Sequence, residues 1–392
     1  MPHLDEAFLD SAESLEALDS RGSLRALATA GAQVRRSIVA AREAGIDRVA
    51  GGDRPRSVLV ASLGGSSVVC DVLDVLAEPG SPVPLTTRRE APLPGWIGPL
   101  DLVIAVSLSG RAAGPLALAA EAARRGASLL TVGAPGSPLA DVCARGRGVH
   151  VDVSAPAPTS RSAMWSMLTP VLLAADGLGL IDCSGAVLER VADLLDTRAE
   201  ECRPSSESFV NPAKILALGL AETVPVVLGD GTLTGVAAGR AAAMFARTAR
   251  IPTTHGALPD AASQVVACFD GPFSGSGGAS TDGGRDLFAD PYLDGPPVPQ
   301  LGLLLLRDHL VAPSEPDHLP AIEARRLTDA VADSARDAGV RVWEVEALGG
   351  HPIERLASLI ALTDYTATYL ALGLGLDPAV SRHVTELRDR TS

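Results

Sequence analysis

Lysine and aromatic residues are scarce in this sequence. Lys214 is the only lysine among 33 basic residues, so Schiff-base chemistry would depend on that one side chain. Aromatic residues are 3% of the 392 positions, whereas hydrophobic residues together are 46%. The hydrophobic core is therefore expected to consist of alanine, valine and leucine, in one large or two ordinary domains.

Paired cysteines and long apolar runs are absent as well. The five cysteines are scattered and form no Cys-x-x-Cys motif, which gives no zinc signature and is typical of reduced thiols in the cytoplasm. The acidic start of the chain, Met1–Ala7, is unlike a signal peptide. The longest apolar stretch, 167–181, is interrupted by Asp176 and is too short to cross a bilayer. We therefore expect a cytoplasmic protein with no membrane contact.

Positive charge is in deficit. The net charge of −14 repels nucleic acid and anionic membranes, so neither is expected as a partner. An anionic ligand would have to be held by local hydrogen-bond donors. Such donors occur where two apolar runs of the chain end in small and hydroxyl residues.

The stretch Leu102–Arg111 joins a buried strand to a loop of hydrogen-bond donors. Its first five residues are apolar, which is typical of a strand in a parallel sheet, and a helix is expected over 112–124. Small and hydroxyl residues lie between them at Ser107, Ser109 and Gly110. Hydroxyls at the N-terminus of a helix can bind an anion. An ordinary strand-to-helix turn has the same composition, so both interpretations stay open.

A second stretch of this kind is Ser57–Ser67. Gly64 and Gly65 allow the backbone to approach a ligand, and Ser66 is placed to cap the next helix. The carboxyl ends of parallel strands meet at one edge of a sheet, where ligands of open α/β folds bind. We therefore expect the two loops to form one phosphate site.

Strand and helix patterns alternate along the chain. This alternation predicts an α/β protein with doubly wound parallel sheets and helices on both faces. The second half has weaker signals and no Ser-x-Ser-Gly, so one phosphate site is expected and not two. The Gly/Pro-rich segment 270–299 is either a lid or a plain surface loop. The expected divisions are N-terminal helices at 1–50 (two helices over 5–46), a first domain with the phosphate loops at 51–182, a helical connection at 183–212 and a second domain at 213–392.

Two motifs resemble a known family. The segment Ser62–Leu73 is similar to the Gly-Met-Gly-Gly-Ser-Ala-Ile-Gly-Gly-Asp-Leu-Leu motif of bifunctional phosphoglucose/phosphomannose isomerases, and Val103–Gly110 is similar to their Val-Ile-Ala-Val-Ser-Tyr-Ser-Gly. The resemblance implies two SIS (sugar isomerase) domains, a hexose phosphate ligand, a homodimer, and neither a metal nor a nucleotide cofactor. The arginine-rich composition is similar to that of the divergent actinobacterial branch.

The acid–base residues of that family are not matched. Aldose–ketose isomerisation needs a carboxylate base and a group that opens the sugar ring. In the family's register the Glu of Asn-Glu-Asn falls on Arg247, the His of His-Asn on Ser263, and a C-terminal Lys on Arg388. His255 and Asp260 are the candidate catalytic substitutes, with His255 expected on a loop. A surface role would suit each of them as well.

The phosphate loops depart from the family at Ala112, where the family has a Thr. Arg111 can supply a charged donor instead. The expected phosphate-binding set is therefore Gly64, Gly65, Ser66, Ser107, Ser109, Gly110 and Arg111. Arg161 matches an Arg that contacts the sugar in the family, although both arginines could also be solvated surface residues. Two functions stay open: isomerisation of glucose 6-phosphate or mannose 6-phosphate to fructose 6-phosphate, or an inactive phosphosugar-binding or regulatory homologue.

Overall fold

The computed structural model describes residues 4–50, 53–153, 159–274, 300–308 and 319–391. They divide into two compact units with one parallel sheet each. The first unit comprises Arg25–Thr197 and His351–Glu354, and the second comprises Met1–Leu24, Arg198–Gly350 and Arg355–Ser392. The division between residues 197 and 198 falls inside the segment 183–212, for which a connecting role is expected.

Short helices precede the first strand, and the described residues form five of them where the sequence pattern predicts two. They are α1 (Glu6–Leu9), α2 (Ala12–Leu18), α3 (Ser23–Ala28), α4 (Ala30–Glu43) and α5 (Asp47–Ala50). The extra breaks come from capping side chains: Asp5 and Ser11 each accept the N–H three residues on, and Asp19 accepts two further backbone N–H groups. The predicted stop at Gly45 is confirmed, since α4 ends just before it and its φ is +75°.

The first sheet has five parallel strands in the order β2-β1-β3-β4-β5. They are β1 (Val58–Ser62), β2 (Leu85–Arg88), β3 (Leu102–Ser107), β4 (Ser128–Gly133) and β5 (Val149–Asp152). Every residue of β1 and β3 is buried, as expected of central strands covered on both faces. The register pairs Ser62 with Val106, so the loops that follow β1 and β3 leave the same edge side by side.

Five helices accompany this sheet in the described residues. They are α6 (Val68–Ala77), α7 (Ala113–Arg124), α8 (Pro138–Arg145), α9 (Met164–Gly177) and α10 (Gly185–Glu201). Apolar residues of α7 and α8 pack with Leu59, Val103 and Leu129 of the sheet into one cluster. α9 contacts β3 and β4 as well as α4 and α6.

The second sheet has four parallel strands in the order β7-β6-β8-β9. They are β6 (Thr223–Gly229), β7 (Thr254–Ala257), β8 (Gln300–Arg307) and β9 (Arg341–Glu346). The helices of this half are α11 (Pro212–Leu220), α12 (Thr232–Met244), α13 (Ala262–Cys268), α14 (Leu319–Asp337), α15 (Pro352–Gly373) and α16 (Arg382–Thr391). A π-helical turn, Phe245–Ala249, follows α12. Two units with parallel sheets confirm the predicted α/β fold class.

Some predicted segments divide differently or fall outside this description. The expected N-terminal segment 1–50 is split, because Met1–Leu24 belongs to the second unit and the residues after it to the first. Residues 275–299, most of the Gly/Pro-rich segment 270–299, lie outside the described part of the chain. Across the ranges that are described, no helix combines the length and the apolar character needed to cross a membrane.

Candidate functional site

The loop after β1 forms one side of the candidate site. It makes a 3₁₀ turn over Gly64–Ser66, and Gly64 has a φ of +65°. A Cβ atom on Gly65 would lie 2.4 Å from Ser160 Oγ and 3.3 Å from Arg161 Cγ. Only glycine fits at this position without displacing its neighbours. Two residues predicted for the site, Gly65 and Arg161, therefore lie side by side.

The segment Thr159–Ala163, which carries Arg161, is anchored by a buried glutamine. Gln33 is 2% exposed, and its Nε2 donates to the carbonyl oxygen of Ser162 at 2.8 Å. Its Oε1 accepts from Ser166 Oγ at 3.2 Å. Ser160 is a neighbour of the loop after β1 and is not among the residues predicted for the site. Its only signal is a run of hydroxyl residues, Thr-Ser-Arg-Ser, shortly before a helix.

The loop after β3 presents two serine hydroxyls. Ser107 Oγ and Ser109 Oγ each accept a backbone N–H of the same loop, at 3.4 and 3.3 Å. Because each oxygen is already an acceptor, its O–H remains to donate. Within the described residues neither hydroxyl donates to another group. Gly110, with a φ of +61°, has no space for a side chain, since a Cβ atom there would lie 2.0 Å from Ser137 Oγ.

Arginines, together with the exposed Glu90, lie near the start of α7, which no side chain caps. Arg111 is exposed there, and its side chain has no hydrogen-bond or ion-pair partner in the described part of the chain. A Cβ atom on Gly114 would lie 1.8 Å from the carbonyl oxygen of Arg89, so the end of β2 packs against the first turn of α7. This contact brings exposed Arg88 and Arg89 to the same edge of the sheet. Neither arginine is among the residues predicted for the site; their signal in the sequence is an arginine pair at the end of a strand.

Ser66 does not cap the next helix, so that expectation is wrong. The chain first makes a 3₁₀ turn, and α6 then starts after Ser67, whose side chain makes no capping hydrogen bond. Ser66 is 3% exposed, and its hydroxyl donates to Met167 Sδ at 3.4 Å. The phosphate role of Ser66 stays a prediction, which would rest on its backbone N–H, because the first N–H groups of a helical turn lack intrahelical partners.

Thiol and metal chemistry gain no support at this edge. Cys70 lies 2.9 Å from Ser62 Oγ, and burial raises the pKa of its thiol to about 11. The thiol is therefore protonated at neutral pH and a poor nucleophile. Over the ranges that the structure describes, no three His, Cys, Asp or Glu side chains are grouped to hold a metal ion.

The two catalytic candidates, His255 and Asp260, lie in the second unit. His255 is not on a loop as expected but in β7, paired with Val227 of β6. The sequence pattern misses β7 because this edge strand has four residues, two of them polar and exposed. The His255 ring lies against α12, since a Cβ atom on Gly239 would be 3.5 Å from its Cε1. Asp260 is exposed three residues beyond the strand. Their catalytic roles stay predictions.

The positions of the family's own acid–base residues also lie in the second unit. Arg247 is half-buried in the π-helical turn, and Ser263 is exposed on α13. The side chain of Arg388 is outside the described residues.

Acidic groups occupy the carboxyl edge of the second sheet. Asp230, directly after β6, accepts the backbone N–H of Asp308 at 3.0 and 2.9 Å and the hydroxyl of Thr234 at 2.9 Å. Burial raises the pKa of the Asp230 carboxyl. Asp308 is itself paired with Arg355 at 2.5 Å. An anion at this edge would meet carboxylates, which is consistent with a single phosphate site in the chain.

Comparisons with known proteins agree with this geometry. Residues 209–391 match the family model of the bacterial phospho-glucose isomerase C-terminal SIS domain. A bifunctional phosphoglucose/phosphomannose isomerase of Caldicellulosiruptor bescii is 23% identical over 333 residues, which are 85% of this chain and 88% of that protein. A hypothetical protein from Thermus thermophilus has a similar structure, with a TM-score of 0.68, 15% identity, and coverage of 100% of this chain and 99% of the other.

A glucose-6-phosphate isomerase like protein from the same organism has a TM-score of 0.53 and 21% identity, and the match covers 94% of this chain and 96% of the other. The family match identifies a SIS domain in the second unit, and the first unit has the same kind of parallel α/β sheet, with Gly- and Ser-rich loops at its carboxyl edge. Residues 209–391 thus match a SIS domain of bacterial phospho-glucose isomerases, and the chain is similar over 85% of its length to a bifunctional phosphoglucose/phosphomannose isomerase.

Proposed function

We propose that this chain binds a hexose phosphate at the carboxyl edge of the first sheet. The observation that carries the proposal is the packing of Gly65 against Ser160 and Arg161, next to two serine hydroxyls that are available as donors. The phosphate would accept from Ser107, Ser109 and the uncapped start of α7. Arg161 would contact the sugar, and Arg111 would supply the positive charge that the chain as a whole lacks.

Isomerisation by this chain is expected to be slow or absent. The position of the family's carboxylate base falls on Arg247, whose guanidinium stays protonated at any workable pH. The position of the ring-opening His falls on Ser263, a poor proton shuttle. The phosphate loops are thus retained while the proton-transfer groups are not. This combination favours a phosphosugar-binding or regulatory role over turnover, with His255 and Asp260 as the only proposed replacements.

We infer from the family resemblance that the protein is a cytoplasmic homodimer. Four of the five cysteines, Cys70, Cys143, Cys183 and Cys202, are buried and all five are free thiols. Free thiols suit a reducing compartment. Sedimentation velocity of the purified chain would give the oligomeric state directly, and a monomer at micromolar concentration would contradict this inference.

The direct test of the proposed site is calorimetric titration with glucose 6-phosphate, mannose 6-phosphate and fructose 6-phosphate. The double variant Ser107→Ala/Ser109→Ala should weaken binding of the preferred ligand about tenfold or more, because two hydroxyl donors are lost. Ser334→Ala is the matched control, since this serine lies half-buried on α14 in the second unit and its hydroxyl donates to a carbonyl of its own helix. Equal affinity of the double variant and the control would contradict the proposed site.

A further inference from the structure

A separate cavity lies at the amino edge of the first sheet, at the opposite end of the strands from the phosphate loops. Its volume is about 570 Å³, and residues at the starts of three strands line it: Leu102, Ser128 and Val149. Small-molecule sites typically have volumes of about 300–1,000 Å³. The six residues of β3 separate the two edges by about 20 Å. A small ligand in this cavity would therefore not touch the phosphate loops.

Arginine side chains are concentrated around this cavity although the chain carries a net charge of −14. Four arginines and a single acidic residue line it: Arg48, Arg54, Arg56 and Arg147, with Asp53. Arg56 is paired with Asp101 at 2.6 Å. Arg48 Nη2 donates to the backbone carbonyl oxygen four residues earlier in the chain, at 3.4 Å. Arg54 and Arg147 make no side-chain hydrogen bond or ion pair within the described ranges. The cavity is thus a local cationic surface with two uncommitted guanidinium groups.

The backbone of Arg147 is unusual for an arginine. It follows α8 in the left-handed region, with a φ of +55°, at the position where helices normally end with glycine. Its neighbours are glycines: at Gly148 a Cβ atom would lie 2.6 Å from the carbonyl oxygen of Leu129. Glycine would be less strained at position 147 as well. The turn therefore carries a cation to the cavity at a position where a side chain is unfavourable.

Apolar residues complete the wall beside the arginines. They include Pro55, Pro99, Leu100 and Leu178. Leu100 is 70% exposed, so it offers a surface that no other part of its unit covers. Phosphate groups suit the planar guanidinium groups, which bind them in a bidentate manner. An apolar ring would suit the surface of Pro99 and Leu100.

We propose that this cavity binds a nucleoside diphosphate, with the phosphates on Arg54 and Arg147 and the base against Pro99 and Leu100. The phosphates of the ligand would face the arginine side of the cavity, and its base would face the apolar side. Such a site is distinct from the sugar-phosphate site at the other edge of the sheet. It would let the chain respond to a second small molecule.

Calorimetric titration of the full-length chain with ADP at low ionic strength tests this proposal. Arg147→Gly removes the cation and at the same time relieves the strain of the left-handed backbone at this position. A loss of binding in this variant is therefore not explained by misfolding. Arg54→Gln removes the second uncommitted cation. Each variant should bind ADP about ten- to a hundredfold more weakly than the parent. Arg145→Gln is the matched control and should bind normally, because Arg145 is exposed two positions away but does not line the cavity.

Further titrations separate the parts of the ligand and the two sites. Pyrophosphate and adenosine should each bind more weakly than ADP, since each lacks one half of the contacts. The Ser107→Ala/Ser109→Ala variant should keep its ADP affinity. The proposal is overturned if ADP does not bind at millimolar concentration, if pyrophosphate binds as tightly as ADP, or if Arg145→Gln weakens binding as much as Arg147→Gly. Loss of ADP binding in the double serine variant would overturn it too.

Discussion

The ammonium group of Lys214, the only lysine of the chain, is buried in the second unit. Its Nζ donates to the carbonyl oxygens of Pro204 and Ser206 at 2.9 and 2.6 Å and lies 3.4 Å from an Asp10 carboxylate oxygen. Burial lowers the pKa of the lysine. The side chain is fully buried, so no substrate carbonyl can reach it. Lys214 therefore fastens the segment before α11 and does not form a Schiff base.

Arg111 is the residue for which the structure makes the sharpest single-site prediction. Arg111→Ala should weaken hexose phosphate binding by about 1–3 kcal/mol, because a charged donor at the start of α7 is lost. Calorimetry measures the effect. Arg124→Ala, at the other end of α7, removes an exposed arginine that is paired with Glu121 and should leave the affinity unchanged. An unchanged dissociation constant for Arg111→Ala would mean that this side chain is only solvated.

Among the elements, the starts of β1 and β3 are joined by one buried carboxylate. Asp101 accepts from Arg56 Nη2 at 2.6 Å, from Ser57 Oγ at 2.7 Å and from the Gly98 N–H at 2.8 Å. Burial alone would raise the pKa of Asp101, but these hydrogen bonds outweigh it and lower the pKa below its ordinary value of 3.8. The charged form of the side chain is thus the one that stabilises the sheet.

Lowering the pH should weaken the contact that Asp101 makes between the starts of β1 and β3. Because the folded-state pKa of Asp101 is the lower one, its stabilisation is complete above the ordinary pKa of 3.8 and is lost as the pH falls through the folded value. Asp101→Asn should reduce the free energy of unfolding by about 1–3 kcal/mol at pH 7. The difference from the parent should shrink at pH 3. Urea unfolding at both pH values measures it, and a difference that does not depend on pH would contradict the assignment to ionisation.

The loop after β1 depends on a contact that only glycine permits. Gly65→Ala should push Ser160 and Arg161 away, because the new Cβ atom would lie 2.4 Å from Ser160 Oγ. We expect hexose phosphate affinity to fall about tenfold and stability by about 1–3 kcal/mol. Gly80→Ala is the control, since a Cβ atom there meets nothing within 4 Å. Calorimetry and thermal unfolding of both variants test this, and normal affinity of Gly65→Ala would rule out the loop contact as part of the site.

On the scale of the whole molecule, the two units share a fold but differ in chemistry. The carboxyl edge of the first sheet carries serine hydroxyls and arginines, whereas that of the second carries Asp230 and Asp308. The hydroxyls and arginines of the first edge suit the proposed phosphate, whereas the second edge offers carboxylates, one of them paired with Arg355. The duplicated architecture therefore does not imply a duplicated function.

The complete chain should bind phosphosugars and isomerise them slowly or not at all. General acid–base assistance contributes about 10²–10⁴-fold to such reactions, and the matched positions cannot provide it. A coupled assay with fructose 6-phosphate measures turnover. A rate in the ordinary enzymatic range of about 1–10³ per second would refute the hypothesis of an inactive homologue. His255→Ala and Asp260→Ala would then show whether those two side chains perform the proton transfers.

Local sequence was enough to predict the elements whose signal is contained in a few neighbouring residues. The apolar run before Ser107 predicts β3, and the apolar run before Gly64 and Gly65 predicts β1. The same reasoning fails at Ser66, because a 3₁₀ turn moves the helix start by one residue and turns the hydroxyl towards α9. It also fails at His255, since an edge strand of four partly exposed residues has no apolar pattern of its own.

The sequence by itself determined the strand and helix alternation, the absence of the family's acid–base residues and the acidic net charge. Tertiary structure alone decided which distant residues meet: Arg161 beside Gly65, Arg89 beside Gly114, and Arg54 with Arg147 around one cavity. The physical reason is the separation along the chain between the residues that interact. Alternation arises from hydrogen bonding and burial within single elements, whereas a site is formed by loops that are far apart in the chain and meet only when the strands pair in register.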